Sequence, residues 1–164
     1  LGRLAGPAPL HLAGGLAGQE DGLPTDGATL PEGARLWLQV WSDGTRPELY
    51  VSLFHRRADC SLLHVNHDLD HGAIVTRRRS VDLTETAGGE PRPIAVEWCP
   101  NVPRDRPRDE ELILLVSSRP RALHRVATAI ALGPAEPAPD RPRGDDDELL
   151  AALRVPFRVE PRAG

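Results

Sequence analysis

The chain contains no lysine and no methionine, and only 4% of its residues are aromatic. All 20 basic residues are therefore arginine. Without lysine there is neither Schiff-base chemistry nor the P-loop lysine of Walker-type nucleotide binding. No apolar run approaches the roughly 20 residues that a membrane-spanning helix needs. We therefore expect a protein without these activities and without a membrane partner.

Cysteine is also scarce, with two residues in 164, Cys60 and Cys99. Two cysteines do not make a disulfide scaffold. The simpler interpretation is that both are small buried apolar groups, and a cross-strand disulfide is the alternative for an exported protein. Net charge is -4 with a pI near 5.9, which disfavours nucleic acid bound through a general cationic surface.

The missing methionine extends to position 1, so we expect a piece cut from a longer protein. The exclusive use of arginine, with 17 prolines and 15 glycines, is typical of a GC-rich, actinobacterial-type genome. The stretch from Leu1 to Gly18 is interrupted by Pro7 and Pro9, which makes it a poor signal peptide. We expect a cytoplasmic location.

The most informative pattern is a pair of alternating segments, Arg35–Trp41 and Glu48–Phe54. Each places apolar side chains at every second position, which is typical of a strand with one face on a core. The turn-rich residues 42–47 between them predict an antiparallel pair. A third strand over 60–65 would complete a β-meander.

Shorter segments follow along the chain, among them the continuous apolar run Glu111–Ser117, which predicts the most buried strand. They predict strands at 73–76, 80–83, 94–98, 111–117 and 154–160, a helix within 119–132, and a second helix at 149–153 behind the acidic residues 145–148. Residues 21–33 are predicted to be loop, with a short edge strand at 9–12. The expected core is Leu36, Leu38, Val40, Leu49, Val51, Leu53, Leu63, Val96, Leu114 and Val116.

The pattern as a whole predicts a mainly β protein. We expect an antiparallel β-sandwich with Ig-like character and one or two short helices, since no crossover helix is visible between residues 35 and 118. A loop-rich segment, 1–34, is expected to precede a sandwich domain over 35–160. That domain would contain a flexible proline-rich loop at 133–144.

The strands at 35–66 and the run Glu110–Pro120 carry a family resemblance. They are similar to a bacterial β-sandwich domain of unknown function that is often attached to caspase-like peptidases. The likeness covers residues 35–120 and is one of strands and turns. It implies an accessory module that binds a ligand or a protein, and a caspase-like parent.

A cluster of polar residues, His64-Val-Asn-His-Asp-Leu-Asp-His71, invites a metal interpretation. Zinc takes three or four nitrogen, sulfur or oxygen donors at a tetrahedral centre. His64 is predicted on a strand while His67 and His71 follow in a turn, so their convergence is not assured. A solvated turn is the simpler interpretation, and we expect no cofactor.

A thiol enzyme is a second catalytic alternative, with His71 before Gly72 and Cys99 after a strand. An imidazole must lie beside the thiol to activate it. Cys99 lies in Trp-Cys-Pro-Asn without a glycine-rich oxyanion loop, so we do not expect this dyad.

Two features indicate a contact surface. Trp37 and Trp41 lie four apart on one predicted strand and so point to one face, with Gln39 between them. This face is either covered by another part of the chain or used for docking. The run Arg77-Arg78-Arg79 could bind an acidic partner, or it could be a solvated edge.

We therefore expect a non-catalytic accessory module that binds a protein partner or an adjacent domain of the same polypeptide. The expected contact residues are Trp37, Trp41, Arg77, Arg78 and Arg79. Two alternatives remain open: a metal or thiol hydrolase using His64, His67, His71 or Cys99, and a purely structural, stabilising domain.

Overall fold

A computed structural model describes residues 2–3, 10–17, 27–44, 47–69, 71–77, 79–120, 123, 127 and 149–162. Over these ranges the chain is mainly β. The strands are β1 (Gly2–Arg3), β2 (Leu10–Leu16), β3 (Ala28–Pro31), β4 (Arg35–Ser42), β5 (Glu48–Arg56), β6 (Leu62–His64), β7 (Ala73–Thr76), β8 (Val81–Asp82), β9 (Ile94–Ala95), β10 (Arg108–Ser117) and β11 (Leu149–Glu160). No helix in this described part is long and apolar enough to cross a membrane.

The strands form two sheets. The first sheet has the order β1-β2-β4-β8, with β9 also paired to β4, and the second has the order β3-β11-β10-β5-β6, with β7 also paired to β5. The ladders are antiparallel, as predicted, except that β11 and β3 run parallel. The expectation of an antiparallel architecture is wrong for that pair.

One hydrophobic cluster draws side chains from both sheets. Its members include Leu36, Leu38 and Val40 of β4, Leu49, Val51 and Leu53 of β5, and Leu112, Leu114 and Val116 of β10. Nine of the ten predicted core residues are buried. The tenth, Leu63, is 46% exposed, because β6 is a three-residue strand at the border of its sheet.

The predicted β4–β5 hairpin is wrong. β4 belongs to the first sheet, whereas β5 lies in the second and pairs with β10, β6 and β7. The two strands therefore present their apolar faces to a common core and do not share a ladder. Alternation identifies the buried face of a strand, but it does not identify the neighbouring strand.

Both ends of the described chain carry more strand than predicted. Residues 149–153, expected as a helix, begin the strand β11, which pairs with β10 along its length. β2 reaches Leu16 and lies between β1 and β4, so it is not an edge strand. β3 lies within the segment predicted to be loop. The strand predicted at 94–98 is ladder-paired only at Ile94 and Ala95.

The second sheet also carries a small apolar cluster on its other face. Phe54, Ile113 and Leu115 pack there with Leu123 and Ala127. The Ala127 N–H donates to the Leu123 carbonyl at 2.9 Å, which is the hydrogen bond of one α-helical turn. The rest of the helix predicted over 119–132, and the proline-rich loop at 133–144, lie outside the described residues.

Asn66 joins two strands that share one neighbour. β6 pairs with the end of β5 and β7 with its beginning, which leaves a gap between them. The fully buried Asn66 side chain bridges this gap, because its Oδ1 accepts from Leu53 N–H at 2.9 Å and its Nδ2 donates to the Val51 carbonyl at 3.0 Å. A side chain thus supplies the two hydrogen bonds that a continuous strand would make.

Candidate functional site

The face of the first sheet that points away from the core is the candidate site. Along β4, Leu36, Leu38, Val40 and Ser42 are buried, while the alternate residues are partly or fully exposed. Those alternate residues are Arg35, Trp37, Gln39 and Trp41. Both predicted tryptophans therefore share one face, and part of each remains accessible.

Trp37 packs closely against the neighbouring strand at Gly15. The two residues are register partners in the β2–β4 ladder. A Cβ atom built on Gly15 would lie 2.7 Å from Trp37 Nε1 and 2.8 Å from Cε2 and Cζ2. Only glycine permits this approach, so the indole uses one side to cover the β2 backbone.

Trp41 is held by a histidine of the same neighbouring strand. Its ring and the His11 imidazole stack with centroids 5.3 Å apart and planes 11° from parallel. His11 Nε2 lies 2.9 Å from Asp43 Oδ2, directly beyond the end of β4. Asp43 therefore fixes His11, which in turn orders Trp41.

The arginine run lies beside the Trp41 end of β4. Arg77 forms a single parallel bridge with Ser42, at the point where the chain passes from β7 in the second sheet to β8 in the first. Arg77 and Arg79 are both exposed. Ser80 follows them and donates from Oγ to Gln39 Oε1 at 3.4 Å. Arg78 lies outside the described residues.

Two cavities bordered by described residues differ in character. The first lies between the sheets, is lined largely by apolar residues including Leu12, Leu36 and Phe157, and measures about 30 Å³, the space of about one water. The second is an open cleft of about 600 Å³ beside Glu32 and Arg162.

The three histidines of the metal alternative are held in different ways. The His64 ring stacks on Phe54 with centroids 4.5 Å apart. His67 Nδ1 lies 3.2 Å from the His64 carbonyl, and both His67 and His71 are exposed. Among the described residues, no three histidine, cysteine, aspartate or glutamate side chains come together as a metal site. Asp70 of this cluster lies outside them.

The thiol alternative meets an obstacle at Cys99. The side chain is buried, and this burial raises the pKa of the Cys99 thiol. A raised pKa keeps the sulfur protonated near neutral pH, whereas the thiolate is the nucleophilic form. Cys60 is exposed, and both cysteines are free.

A buried polar pair escaped the sequence reasoning. His55 Nε2 and Glu110 Oε2 lie 2.6 Å apart, with each side chain only 2% exposed. Glu110 Oε1 also accepts from Ala58 N–H at 3.2 Å, and the His55 ring leans on Phe157. The sequence contained a signal for this pair. Each of the two residues occupies the next alternate position beyond a row of apolar residues, so each polar side chain is directed to the buried face.

The aromatic face likewise includes residues that sequence reasoning did not select, namely His11, Gly15 and Asp43. They come to Trp37 and Trp41 through the β2–β4 register, which neither strand specifies by itself. No protein-family model matches the chain, and no curated protein matches it.

Proposed function

We propose that the chain is a non-catalytic accessory module that recognises a protein partner through the outer face of the first sheet. In fold we propose a β-sandwich of Ig-like character, since one core draws on both sheets. The parent suggested by the resemblance is a bacterial, actinobacterial-type protein containing a caspase-like peptidase. The partner would be another protein or an adjacent domain of that polypeptide.

The observation that carries this proposal is the fixed placement of Trp37 on Gly15. An indole held against backbone has little conformational entropy left to lose when a partner covers its other side. Tryptophan and arginine are also the residues that most often dominate protein–protein binding energy. The face presents both types, since Trp37, Trp41 and Arg35 lie in one row.

The environment of Trp41 supports the same function. Its stacking partner His11 is itself tied to Asp43, so the ring is ordered before any partner arrives. Arg77 and Arg79 lie at this end of β4 and add donors suited to carboxylate groups. A protein surface with acidic residues beside an apolar patch fits this combination.

Photo-crosslinking in the native cells tests the proposal. A photoreactive amino acid replaces Gln39, between the two tryptophans, and in a matched variant it replaces Thr29, an exposed residue of β3 in the other sheet. We expect protein adducts from position 39 and none from position 29. Trp41→Ala should reduce the adducts, because loss of a dominant contact weakens binding on the order of tenfold or more.

Two results contradict the proposal. One is equal labelling from positions 39 and 29, which would mean that the face has no preference for protein. The other is labelling that Trp41→Ala leaves unchanged. A purely stabilising role also predicts labelling that Trp41→Ala leaves unchanged. That role is supported if, in addition, the parent protein loses thermal stability when this domain is removed.

A further inference from the structure

The side chains that point outward along β4 and just beyond it form a row in which the residue types repeat symmetrically about the centre. At every second position they are Arg35, Trp37, Gln39, Trp41 and Asp43, here named the outer row. Gln39 is its centre. A tryptophan lies two residues away on either side, and a charge lies four residues away, positive at one end and negative at the other.

We propose that the outer row is the contact between two copies of this chain, related by a two-fold axis. This rests on the proposed function of the face as a protein-recognition surface and names the partner as a second copy. The axis lies between the two facing sheets and crosses the strands at Gln39. In this arrangement Trp37 of each copy lies opposite Trp41 of the other copy, and Arg35 of each copy lies opposite Asp43 of the other copy.

A two-fold axis that keeps two facing strands roughly aligned can lie in only two directions, along the strands or across them. An axis along the strands would place Arg35 opposite Arg35 of the second copy, and Asp43 opposite Asp43 of the second copy. This arrangement brings like charges together. An axis across the strands reverses one row and brings opposite charges together. An isologous contact repeats every pair twice, so the antiparallel arrangement contains two Arg–Asp pairs.

Distances within the row suit this arrangement. At about 3.3 Å per residue, each charged end lies about 13 Å from Gln39. Facing sheets pack about 10 Å apart and cross at about 30°, which separates the row ends by about 7 Å. The long arginine side chain covers such an offset. The small residue Ala13 of β2, opposite Gln39, permits close approach beside the tryptophans.

Asp43 is exposed enough for a partner arginine to reach it beside the contacts that it already makes. Its side chain is 57% exposed, and His11 Nε2 lies against Oδ2. A carboxylate has about four acceptor positions on two oxygens. Arg35 is exposed at the other end of the row. A guanidinium bound to this carboxylate would form a charge-assisted hydrogen bond.

The size of the face sets the strength of the contact. Three strands about 4.8 Å apart and eight residues long present roughly 370 Å² per copy, or about 750 Å² for two copies. Stable complexes bury about 1,200–2,000 Å². We therefore expect a reversible dimer with a dissociation constant in the micromolar range or weaker.

Charge reversal with sedimentation velocity on the purified chain tests the proposal. The variants are Arg35→Glu, Asp43→Arg and the combination of both, with Arg106→Glu and Glu90→Arg as exposed controls of matched charge change. We expect each single reversal to weaken dimerisation on the order of tenfold, because two attractive pairs become repulsive. The combination should dimerise more strongly than either single reversal, because the Arg–Asp pairs form again, but less strongly than wild type, because Asp43→Arg removes the His11 contact. The controls should leave the dissociation constant unchanged.

Three results would overturn the second copy as partner. The first is a wild-type chain that stays monomeric at 1 mM, about the highest useful concentration for a micromolar contact. The others are single reversals that dimerise as wild type does, or a combined variant that dimerises as weakly as the single reversals. Circular dichroism of each variant confirms that it is folded. If the purified chain is monomeric while position 39 still crosslinks to other proteins in cells, the recognition function stands and the dimer fails. If the purified chain is monomeric and position 39 gives no protein adducts in cells, both the dimer and the recognition function are wrong.

Discussion

Asn66 is the side chain with the largest structural consequence, although the sequence placed it in a solvated turn. It is fully buried and satisfies two backbone groups of β5. The turn prediction failed because a polar residue type is normally exposed. Here the discontinuity between β6 and β7 creates a buried need for hydrogen bonds that only the assembled sheet reveals.

Asn66→Ala is expected to lower the free energy of unfolding by about 2–4 kcal/mol, because Leu53 N–H and the Val51 carbonyl lose their partners in a dry environment. Urea denaturation measures the change. Asn101→Ala, at an exposed turn position, is the matched control and should stay within about 0.5 kcal/mol of wild type. Equal effects of the two substitutions would contradict the structural role of Asn66.

The His55–Glu110 pair supports a second prediction at this scale. Glu110→Leu leaves the buried imidazole without its partner and should cost about 3–5 kcal/mol. His55→Phe combined with Glu110→Leu should cost less than the sum of the single changes, because neither a buried imidazole nor a buried carboxylate is left without its partner. Denaturant unfolding of the four proteins gives the coupling energy. Strict additivity would mean that the two side chains do not interact.

The pairing of β2 with β4 shows how one strand shapes the side-chain contacts of its neighbour. Glycine is normally a weak residue inside a strand, yet Gly15 accommodates the Trp37 indole. The sequence predicted that Trp37 and Trp41 share a face. It could not predict that Gly15 lies beneath one ring and His11 beside the other, since the β2–β4 register depends on the whole sheet.

Gly15→Val is expected to displace Trp37 and to cost about 1–3 kcal/mol through overpacking, although valine is the better strand former. Ala13→Val is the matched control, because position 13 lies on the same face of β2 opposite Gln39. Tryptophan fluorescence and thermal unfolding should change for the first variant and change little for the second. Similar results for both would show that Trp37 does not need the glycine.

The connection before β10 contains a pH-sensitive contact. Arg104 stacks on Trp98 with its guanidinium carbon 5.5 Å from the ring centroid, and it binds both carboxylate oxygens of Glu32 at 2.7 and 2.9 Å. The hydrogen bond from Arg104, and then that from the Arg162 backbone, hold the pKa of Glu32 below its ordinary value of 4.5. A lowered folded-state pKa stabilises the contact above 4.5, and this contribution is lost as the pH falls through the folded value.

Arg104→Gln should therefore move the Glu32 titration midpoint upward, toward 4.5. Carboxyl carbon NMR across pH 2–7 (about the span needed on both sides of a glutamate midpoint) measures the midpoint in each protein. Arg106→Gln, two residues along the same connection and also exposed, serves as the control and should leave it unchanged. An unchanged midpoint in Arg104→Gln would mean that the guanidinium does not set the charge state of Glu32.

For the fold, the sequence predicted which faces of the strands are buried far better than which strands are neighbours. The apolar residues of β4, β5 and β10, alternating in the first two strands and continuous in the third, identified the core because burial acts on each strand separately. Sheet membership depends on contacts distant in sequence, so the β4–β5 hairpin was mispredicted. Residues 149–153 have helix-forming composition, yet pairing with β10 overrides this local preference.

The position of β11 has a consequence for biosynthesis. This strand occupies residues 149–160 and lies between β10 and β3, a strand from the other end of the chain. β3 hydrogen-bonds to no other described strand. The second sheet therefore stays divided on the ribosome until residue 160 has cleared the exit tunnel, and the nascent chain must keep the apolar side of β10 out of wrong associations until then.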